Sequence, residues 1–315
     1  MKILFIDTVH PYLWNSLQEA GHECVEGYTL SRDELMQQVS FYDGLVIRSR
    51  IQLDKEILSA AHRLRFIARA GAGMESIDVE CAQSKNIACL NSPEGNRDAV
   101  GEHAVGMLLS LMNNLNKADR EVRNGSWERE GNRGHELGGK TVGIIGYGNM
   151  GTAFASKLKG FSCRVLAYDK YKSGFGGDGV EEVSLETLQA HSDILSLHIP
   201  LTAETDGWID YKFISSFKKN IYLLNTARGK CLKTDDLVQC IKEGKVLGAC
   251  LDVLEYEDTS FEKFRIRNAQ FEQSETWHYL IHSDRVQLSP HIGGWTYESH
   301  EKISKILFEK IMKCQ

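Results

Sequence analysis

The sequence contains no run of 18 apolar residues, no C-x-x-C pair and no basic stripe, and each absence excludes a class of protein. A membrane-spanning helix needs about 20 consecutive apolar residues, so we expect no membrane partner. The N-terminus, MKILFIDTVH, enters a strand pattern without the small-residue cleavage site of a signal peptide. Lysine and arginine are scattered over a chain of net charge -6, which argues against a nucleic-acid partner. These absences predict a cytoplasmic protein.

Length, hydrophobic content and cysteine usage limit the folds that the chain can adopt. The chain has 315 residues, of which 42% are hydrophobic, enough for two domains with a core each. Several of its eight cysteines lie in apolar, strand-like runs such as LGACLDV. We therefore expect reduced core cysteines, with no disulfide and no metal site.

A glycine-rich segment in the middle of the chain, TVGIIGYGNMG, carries the most specific signal. Residues 141–145 predict a short apolar strand, and a helix is expected from Met150 onward. Glycines spaced G-x-G-x-x-G between a strand and a helix allow a tight turn, close approach of a pyrophosphate and close packing of the helix on the strand. The loop residues expected to bind a dinucleotide are Gly146, Gly148, Asn149, Met150 and Gly151.

The next predicted strand, CRVLAYD, ends in Asp169, about 20 residues beyond the loop. A carboxylate at this place accepts hydrogen bonds from both ribose hydroxyls and repels a 2′-phosphate. The sequence therefore predicts NAD as the cofactor in preference to NADP. Lys170 and Lys172 follow directly and could offset part of that repulsion.

Strand and helix patterns alternate along the chain. They predict an α/β fold of two Rossmann-like or flavodoxin-like, doubly wound parallel-sheet domains with a cleft between them. We expect a substrate-binding domain over residues 1–99, completed by an amphipathic C-terminal helix within 292–315. The dinucleotide-binding domain is expected over residues 100–291. A long helix starting near Ala99, with the pattern AVGEHAVGMLLSLMNNLNKADREV, is expected to lead out of the first domain.

Polar residues follow the later predicted strands, at the sheet edge where ligands of open α/β folds bind. Arg228 follows YLLNTA, Asp252 and Glu257 follow LGACL, and His291 follows VQLSP. A histidine can donate the proton that a carbonyl oxygen needs when hydride reaches its carbon, and a neighbouring carboxylate favours the charged imidazole. An arginine can hold a substrate carboxylate through two hydrogen bonds. These are the requirements of a 2-oxo acid reductase.

The chain resembles the D-isomer-specific 2-hydroxyacid dehydrogenases over nearly its whole length, and most closely their phosphoglycerate dehydrogenase branch. Besides the glycine loop, the resemblance lies in VIRSR, ARAGAGMESID, NSPEGNRDAVGEHAVGMLLSL, NGSWER, SLHIPLTAET, NTARG, LDVLEYE and SPHIGG. It implies that Arg228 is the substrate arginine, that His291 is the acid/base and that Glu257 is its carboxylate partner. The implied reaction is hydride transfer between NAD and C2 of a D-2-hydroxy acid. 3-Phosphoglycerate is the leading candidate substrate, with serine biosynthesis as the setting.

The resemblance also implies contacts to both ligands. Asp252 and the backbone around Ala227 would hold the nicotinamide carboxamide, while His198 and Pro200 would border the cofactor without reacting. Backbone amides from Ala70 to Gly73 would receive the substrate carboxylate, and two arginines and a serine are candidates for a substrate phosphate. The substrate-binding candidates are Arg48, Ser49, Arg69, Ala70 and Gly71.

The resemblance further implies a homodimer in which the helix starting near Ala99 takes part. His103, on that helix, is expected to serve packing or capping. No sequence follows Gln315 for the regulatory amino-acid-binding domain of some phosphoglycerate dehydrogenases, so we expect no serine feedback through such a domain.

Two departures from the family pattern leave the substrate open. After Glu257, the chain carries an aspartate in place of the usual proline, and the insert TSFEKFRIRNAQFEQSETWHYLIHSD then precedes His291. Trp295 stands where relatives commonly carry a small residue. Glu255 stays an alternative carboxylate partner for the histidine. A small unphosphorylated acid such as glycerate, glyoxylate or lactate is an alternative substrate. A non-catalytic, NAD-sensing protein similar to transcriptional corepressors is an alternative function.

Overall fold

The computed structural model describes residues 1–257 and 273–314, which divide into two compact units. The first unit comprises residues 1–97 and 295–314, and the second comprises residues 98–257 and 273–294. Each unit is built on a parallel β-sheet that is flanked by helices, so the predicted α/β fold class is confirmed.

Five parallel strands form the sheet of the first unit: β1 (Lys2–Phe5), β2 (Glu23–Glu26), β3 (Gly44–Ile47), β4 (Phe66–Arg69) and β5 (Ala88–Leu90). Their order is β2-β1-β3-β4-β5, the flavodoxin-like arrangement. Four helices connect them: α1 (Pro11–Glu19), α2 (Arg32–Gln38), α3 (Lys55–Ala60) and α4 (Val79–Ser84). Ser31, Asp54 and Asp78 accept hydrogen bonds from first-turn amides of α2, α3 and α4, which fixes where these helices begin.

Helix α5 (Pro93–Met112) contains the boundary between the two units. The prediction of one uninterrupted helix from Ala99 through the following twenty-odd residues is wrong at both ends. The helix begins six residues earlier because Pro93 fits its first turn, where no amide donor is needed. It ends at Met112 because Asn114 adopts the left-handed conformation (φ 54°), and a separate helix, α6 (Leu115–Arg123), follows.

Seven parallel strands form the sheet of the second unit: β6 (Thr141–Ile145), β7 (Arg164–Tyr168), β8 (Val180–Glu182), β9 (Ile194–Leu197), β10 (Ile221–Asn225), β11 (Val246–Leu251) and β12 (Val286–Leu288). Their order is β12-β11-β10-β9-β6-β7-β8. Counted from β6, the first six strands follow the order 3-2-1-4-5-6 of dinucleotide-binding folds, with β12 added at the edge. The order reverses between β6 and β9, and ligands of such sheets bind at that reversal.

The remaining helices of the second unit are α7 (Asn149–Lys157), α8 (Leu185–His191), α9 (Tyr211–Ser215), α10 (Thr234–Lys242) and α11 (Glu275–His282). They cover both faces of the sheet. Along β10, Ile221 and Leu223 enter one buried cluster while Tyr222 and Leu224 enter the cluster on the opposite face. This alternation follows from the two-residue period of a strand and places two hydrophobic layers around one sheet.

The C-terminal helix, α12 (Tyr297–Met312), belongs to the first unit. Three of its apolar residues, Ile303, Leu307 and Ile311, are buried in the cluster that also contains Ile3 and Phe5 of β1. A fourth, Ile306, is half-buried. The amphipathic pattern of the sequence thus matches the buried face. The helix thus closes one face of the five-stranded sheet.

All eight cysteines have free thiols, but only Cys231, Cys240 and Cys250 are buried. The other five are half-buried, so the prediction of core cysteines is wrong for them. Within the described residues, no helix has both the length and the apolar character needed to cross a bilayer.

Candidate active site

The loop between β6 and α7 is shaped by its three glycines. Gly146 has φ +90°, and a Cβ there would lie 2.5 Å from the carbonyl oxygen of His198. A Cβ on Gly151 would lie 2.1 Å from the carbonyl oxygen of Gly146, so α7 packs directly on the loop. A Cβ on Gly148 would meet no atom of the described residues within 4 Å. The open space beside Gly148, at the N-terminus of α7, fits the pyrophosphate of a dinucleotide.

Asp169 follows β7 directly and is anchored by three backbone amides. One carboxylate oxygen accepts from the Tyr147 amide of the glycine loop at 2.8 Å. The other accepts from the amides of Tyr171 and Lys172 at 2.9 and 3.0 Å. The carboxylate therefore joins the glycine loop to the end of β7 and holds a fixed position beside the ribose site that the fold predicts.

A cavity of about 340 Å³ opens between the glycine loop and the ends of β7 and β9. Its lining includes five predicted cofactor residues and an apolar wall suited to an adenine ring. The lining residues are Ile145, Gly146, Gly148, Tyr168, Asp169, Lys170, Tyr171, His198, Ile199, Pro200, Thr202, Glu204, Thr205 and Trp208. Asn149 and Met150, in the first turn of α7, are outside this lining, the first exposed and the second half-buried.

His198 lines the cavity as a neutral side chain. Its Nε2 lies 2.9 Å from the Ser196 hydroxyl, and its ring packs against Phe154 with the centroids 5.2 Å apart. Enclosure by the surrounding protein lowers the pKa of His198 to about 3. A pKa this low favours the uncharged ring near neutral pH, and the prediction that His198 borders the cofactor without reacting stays a prediction.

His291 and Glu257 are brought together by the ends of β11 and β12. His291 Nδ1 lies 3.1 Å from Glu257 Oε2, and the two side chains are 25% and 15% exposed. Glu255, the alternative partner, instead accepts a hydrogen bond from the Thr234 amide at the start of α10, at 2.8 Å. The contact with Glu257 orients the imidazole, with Nδ1 toward the carboxylate.

Asp252 organises the segment that carries His291. It is 3% exposed and accepts hydrogen bonds from the Ser289 hydroxyl at 2.6 Å and from the amides of Ile292 and Gly293 at 2.9 and 2.8 Å. Burial opposes its charge, but these hydrogen bonds and a contact with His103 keep the pKa of Asp252 below its ordinary value. Both carboxylate oxygens thus have partners within the protein, and a contact of Asp252 with the nicotinamide carboxamide stays a prediction.

His103 is part of this network, a role that sequence reasoning missed. Its Nε2 lies 2.9 Å from the Ser289 hydroxyl and 3.3 Å from Asp252 Oδ1. His103 and Ser289 are 186 positions apart in the chain, so no local sequence pattern could have shown this contact.

Arg228 lies in a tight turn after β10. The Asn225 side chain closes this turn by accepting from the Ala227 amide at 3.1 Å and donating to the Arg228 carbonyl at 3.0 Å. Arg228 Nη1 donates to the Ala227 carbonyl at 2.6 Å, so both backbone groups of Ala227 already have partners. A Cβ on Gly229 would lie 1.9 Å from the Leu254 carbonyl oxygen. The turn therefore packs on the segment that leads to Glu257.

In the first unit, the loop after β4 presents fewer amides than predicted. The Ala70 amide donates to the Ile47 carbonyl at 2.7 Å and the Gly71 amide to the Arg69 carbonyl at 2.8 Å. Within the described part of the chain, the amides of Ala72 and Gly73 make no such bond. The amides of Ala70 and Gly71 therefore already have backbone partners, and the receptor for a substrate carboxylate at residues 70–73 stays a prediction.

Arg48, at the end of β3, stacks on Trp295. The guanidinium carbon lies 4.4 Å from the centre of the ring, which is 58% exposed. Ser49, the next residue, is buried. A Cβ on Gly71 would lie 1.7 Å from Arg69 Nη1, so glycine at this position leaves room for the Arg69 guanidinium.

The first part of the insert between Glu257 and His291, residues 258–272, lies outside the described residues, and its second part contains α11. Among the residues described, no group of three metal-ligating side chains occurs.

Three comparisons bear on identity. The family model "D-isomer specific 2-hydroxyacid dehydrogenase, NAD binding domain" matches residues 105–293. The chain is 34% identical over 314 residues to D-3-phosphoglycerate dehydrogenase of Archaeoglobus fulgidus, covering 99% of this chain and 57% of that protein. It is 37% identical over 284 residues to hydroxypyruvate reductase of Thermotoga maritima, covering 90% of this chain and 88% of that protein. A crystal structure of a glyoxylate reductase from Paecilomyes thermophila is similar with a TM-score of 0.85 at 26% identity, covering 99% of this chain and 94% of that one.

The chain thus spans little more than half of the phosphoglycerate dehydrogenase and most of the hydroxypyruvate reductase. The family match assigns NAD as the cofactor of the second unit, which confirms the predicted cofactor. The preference for NAD over NADP, inferred from Asp169, stays a prediction.

Proposed function

The chain belongs to the D-isomer-specific 2-hydroxyacid dehydrogenase family, and from that premise we propose that it catalyses reversible hydride transfer between NAD and C2 of a D-2-hydroxy acid. The contact between His291 and Glu257 supports the proposal most directly. A protein that only senses NAD needs no such proton-transfer pair. An NAD-sensing role stays the alternative, because related corepressors keep these residues.

Each residue has a distinct task in the proposed reaction. NAD, when bound, accepts the hydride from C2 or returns it. His291 takes the hydroxyl proton during oxidation and gives it back during reduction, through Nε2, the nitrogen that Glu257 does not engage. Glu257 stabilises the charged imidazole between these steps. Arg228 binds the substrate carboxylate and polarises the carbonyl, and the turn closed by Asn225 keeps the arginine in place.

We propose a phosphorylated acid, 3-phosphoglycerate, as the substrate, which would place the chain in serine biosynthesis. Stacking on Trp295 restrains the plane of the Arg48 guanidinium, and the donors of a guanidinium lie in that plane. A charge-assisted hydrogen bond to a phosphate is worth about 1.5 to 3 kcal/mol. The second candidate is an unphosphorylated acid, favoured by the similarity to a hydroxypyruvate reductase and by the bulk of Trp295.

Turnover with a panel of 2-oxo acids tests the proposal. With NADH, 3-phosphohydroxypyruvate should be reduced with at least about tenfold higher kcat/KM than hydroxypyruvate, glyoxylate or pyruvate. Arg48→Ala should erode this preference by raising KM, whereas Arg63→Ala, at an exposed arginine of the same unit, should leave it unchanged.

His291→Ala should lower turnover of every acid by roughly 10²-fold to 10⁴-fold while NADH still binds. A preference for an unphosphorylated acid would replace the substrate and keep the reaction. No turnover with any acid, combined with intact NADH binding, would favour the NAD-sensing alternative.

We also propose a cytoplasmic location, which the free thiols favour. A homodimer is proposed through α6, none of whose residues is buried.

A further inference from the structure

Glu204 joins two segments of the wall of the NAD cavity. Its Oε2 accepts a hydrogen bond from Lys170 Nζ at 2.6 Å and from the Tyr171 hydroxyl at 2.5 Å. Lys170 and Tyr171 follow Asp169 at the end of β7, whereas Glu204 lies beyond β9. All four residues line the cavity of about 340 Å³. The carboxylate therefore reaches across this part of the cavity wall to the residues that follow Asp169.

Without Glu204, the charges at this end of the cavity would not favour NAD over a 2′-phosphorylated nucleotide. Asp169 supplies one negative charge, while Lys170 and Lys172 supply two positive ones. Lys172 Nζ donates to the Tyr147 carbonyl at 3.3 Å, which keeps this cation close to the glycine loop. Glu204 adds the second negative charge, balances the four groups and raises the pKa of Lys170 by their hydrogen bond and ion pair.

We propose that Glu204 is a specificity-determining residue, which excludes 2′-phosphorylated nucleotides by neutralising Lys170. A 2′-phosphate carries up to two negative charges, and an unpaired lysine next to Asp169 would attract it. With Glu204 in contact, that lysine offers a weaker attraction, and the carboxylate adds its own repulsion. Asp169 also anchors the glycine loop, so replacing it would disturb the conformation of the loop as well as the local charge.

Binding of adenosine 2′,5′-bisphosphate and of AMP to the full chain, measured by calorimetry, isolates this effect from turnover. Glu204→Gln keeps the shape of the side chain and removes its charge. We expect it to tighten binding of the bisphosphate at least about threefold and to change AMP binding by less than about twofold. The gain should shrink as salt rises, because the charges are half-exposed. The kcat/KM ratio of NADPH to NADH should rise by a similar factor.

Two control variants separate the effect of the Glu204 charge from the effect of its hydrogen bonds. Tyr171→Phe removes the other hydrogen bond to Glu204 and leaves every charge in place, so the preference between the two nucleotides should stay unchanged. Lys170→Met in the Glu204→Gln background should abolish the gain, because the freed cation is lost. An unchanged preference in Glu204→Gln, or a gain that persists without Lys170, would overturn the proposal.

Discussion

The segment that carries His291 is held in place by buried hydrogen bonds and not by local sequence preference. His291 has φ +55°, a conformation that residues other than glycine seldom adopt. Its amide donates to the Asp252 carbonyl at 2.8 Å, and the Asp252 carboxylate binds the next two amides. Strained backbone is typical of sites whose surroundings over-determine it. Asp252 is therefore a positioning residue for the proposed acid/base.

The two glutamates near His291 offer a matched test at this scale. Glu257→Gln removes the carboxylate that orients the imidazole, so kcat for reduction should fall at least about tenfold while NADH binding stays unchanged. Glu255→Gln should leave kcat in place, because that side chain binds the Thr234 amide. Steady-state rates of reduction and NADH titration of both variants decide the matter. A loss of kcat in the Glu255 variant instead would reassign the partner.

The glycine loop shows that one motif combines two physical requirements. Gly146 and Gly151 are needed because protein backbone lies where a Cβ would be, whereas Gly148 borders open space. The spacing alone cannot separate these roles, since all three glycines are equivalent in the pattern. The contacts of the folded element separate them.

This difference predicts opposite results for two alanine variants. Gly151→Ala places a methyl group against the Gly146 carbonyl and should cost about 1–3 kcal/mol of folding free energy. Gly148→Ala should leave stability nearly unchanged and weaken NADH binding, because its methyl group enters the space proposed for the pyrophosphate. Urea unfolding and NADH titration of both variants provide the comparison. Equal loss of stability in both would contradict the assignment of Gly148 to the ligand.

The sequence pattern predicted the central strands of each sheet better than the strands at its edges. Buried parallel strands such as β10, IYLLN, are continuous apolar runs, which stand out in a sequence. Strand β2, ECVE, is half-exposed at the edge of its sheet and has too little apolar pattern to be recognised. The break at Asn114 depends on one left-handed residue in an otherwise helical pattern.

The residues of the site also fall into a group that the sequence pattern predicts and a group that it does not. Arg228, Glu257 and His291 follow strands whose ends the pattern locates, so the sequence could name them. Two supports of the site were missed. Asn225 closes a local turn that its place at the end of a strand does not reveal, and His103 acts through a contact that only the folded chain brings together. The engaged amides of Ala70 and Gly71 were equally invisible, because backbone partners leave no mark on residue identity.

At the scale of the whole molecule, α6 is an element whose apolar residues are exposed among the described residues. Leu115 and Val122 are 54% and 50% exposed, and Trp127, just beyond the helix, is 78% exposed. The first two are seven positions apart and share one face of the helix. Exposed aromatic and aliphatic residues grouped on one face are typical of interfaces. A second copy of the chain would cover this face with the same face of its own.

The proposed dimer predicts that charge on this face separates the subunits. Leu115→Glu combined with Val122→Glu should raise the dimer dissociation constant at least about 30-fold, since the interface would have to bury two unpaired carboxylates. Phe41→Glu, an equally exposed apolar position of the first unit, should leave the dimer intact. Light scattering coupled to gel filtration, over a dilution series, measures the mass of each variant. A monomeric unmodified chain, or a dimer that survives both glutamates, would remove α6 from the interface, and retained NADH binding in the variant would show that its fold is preserved.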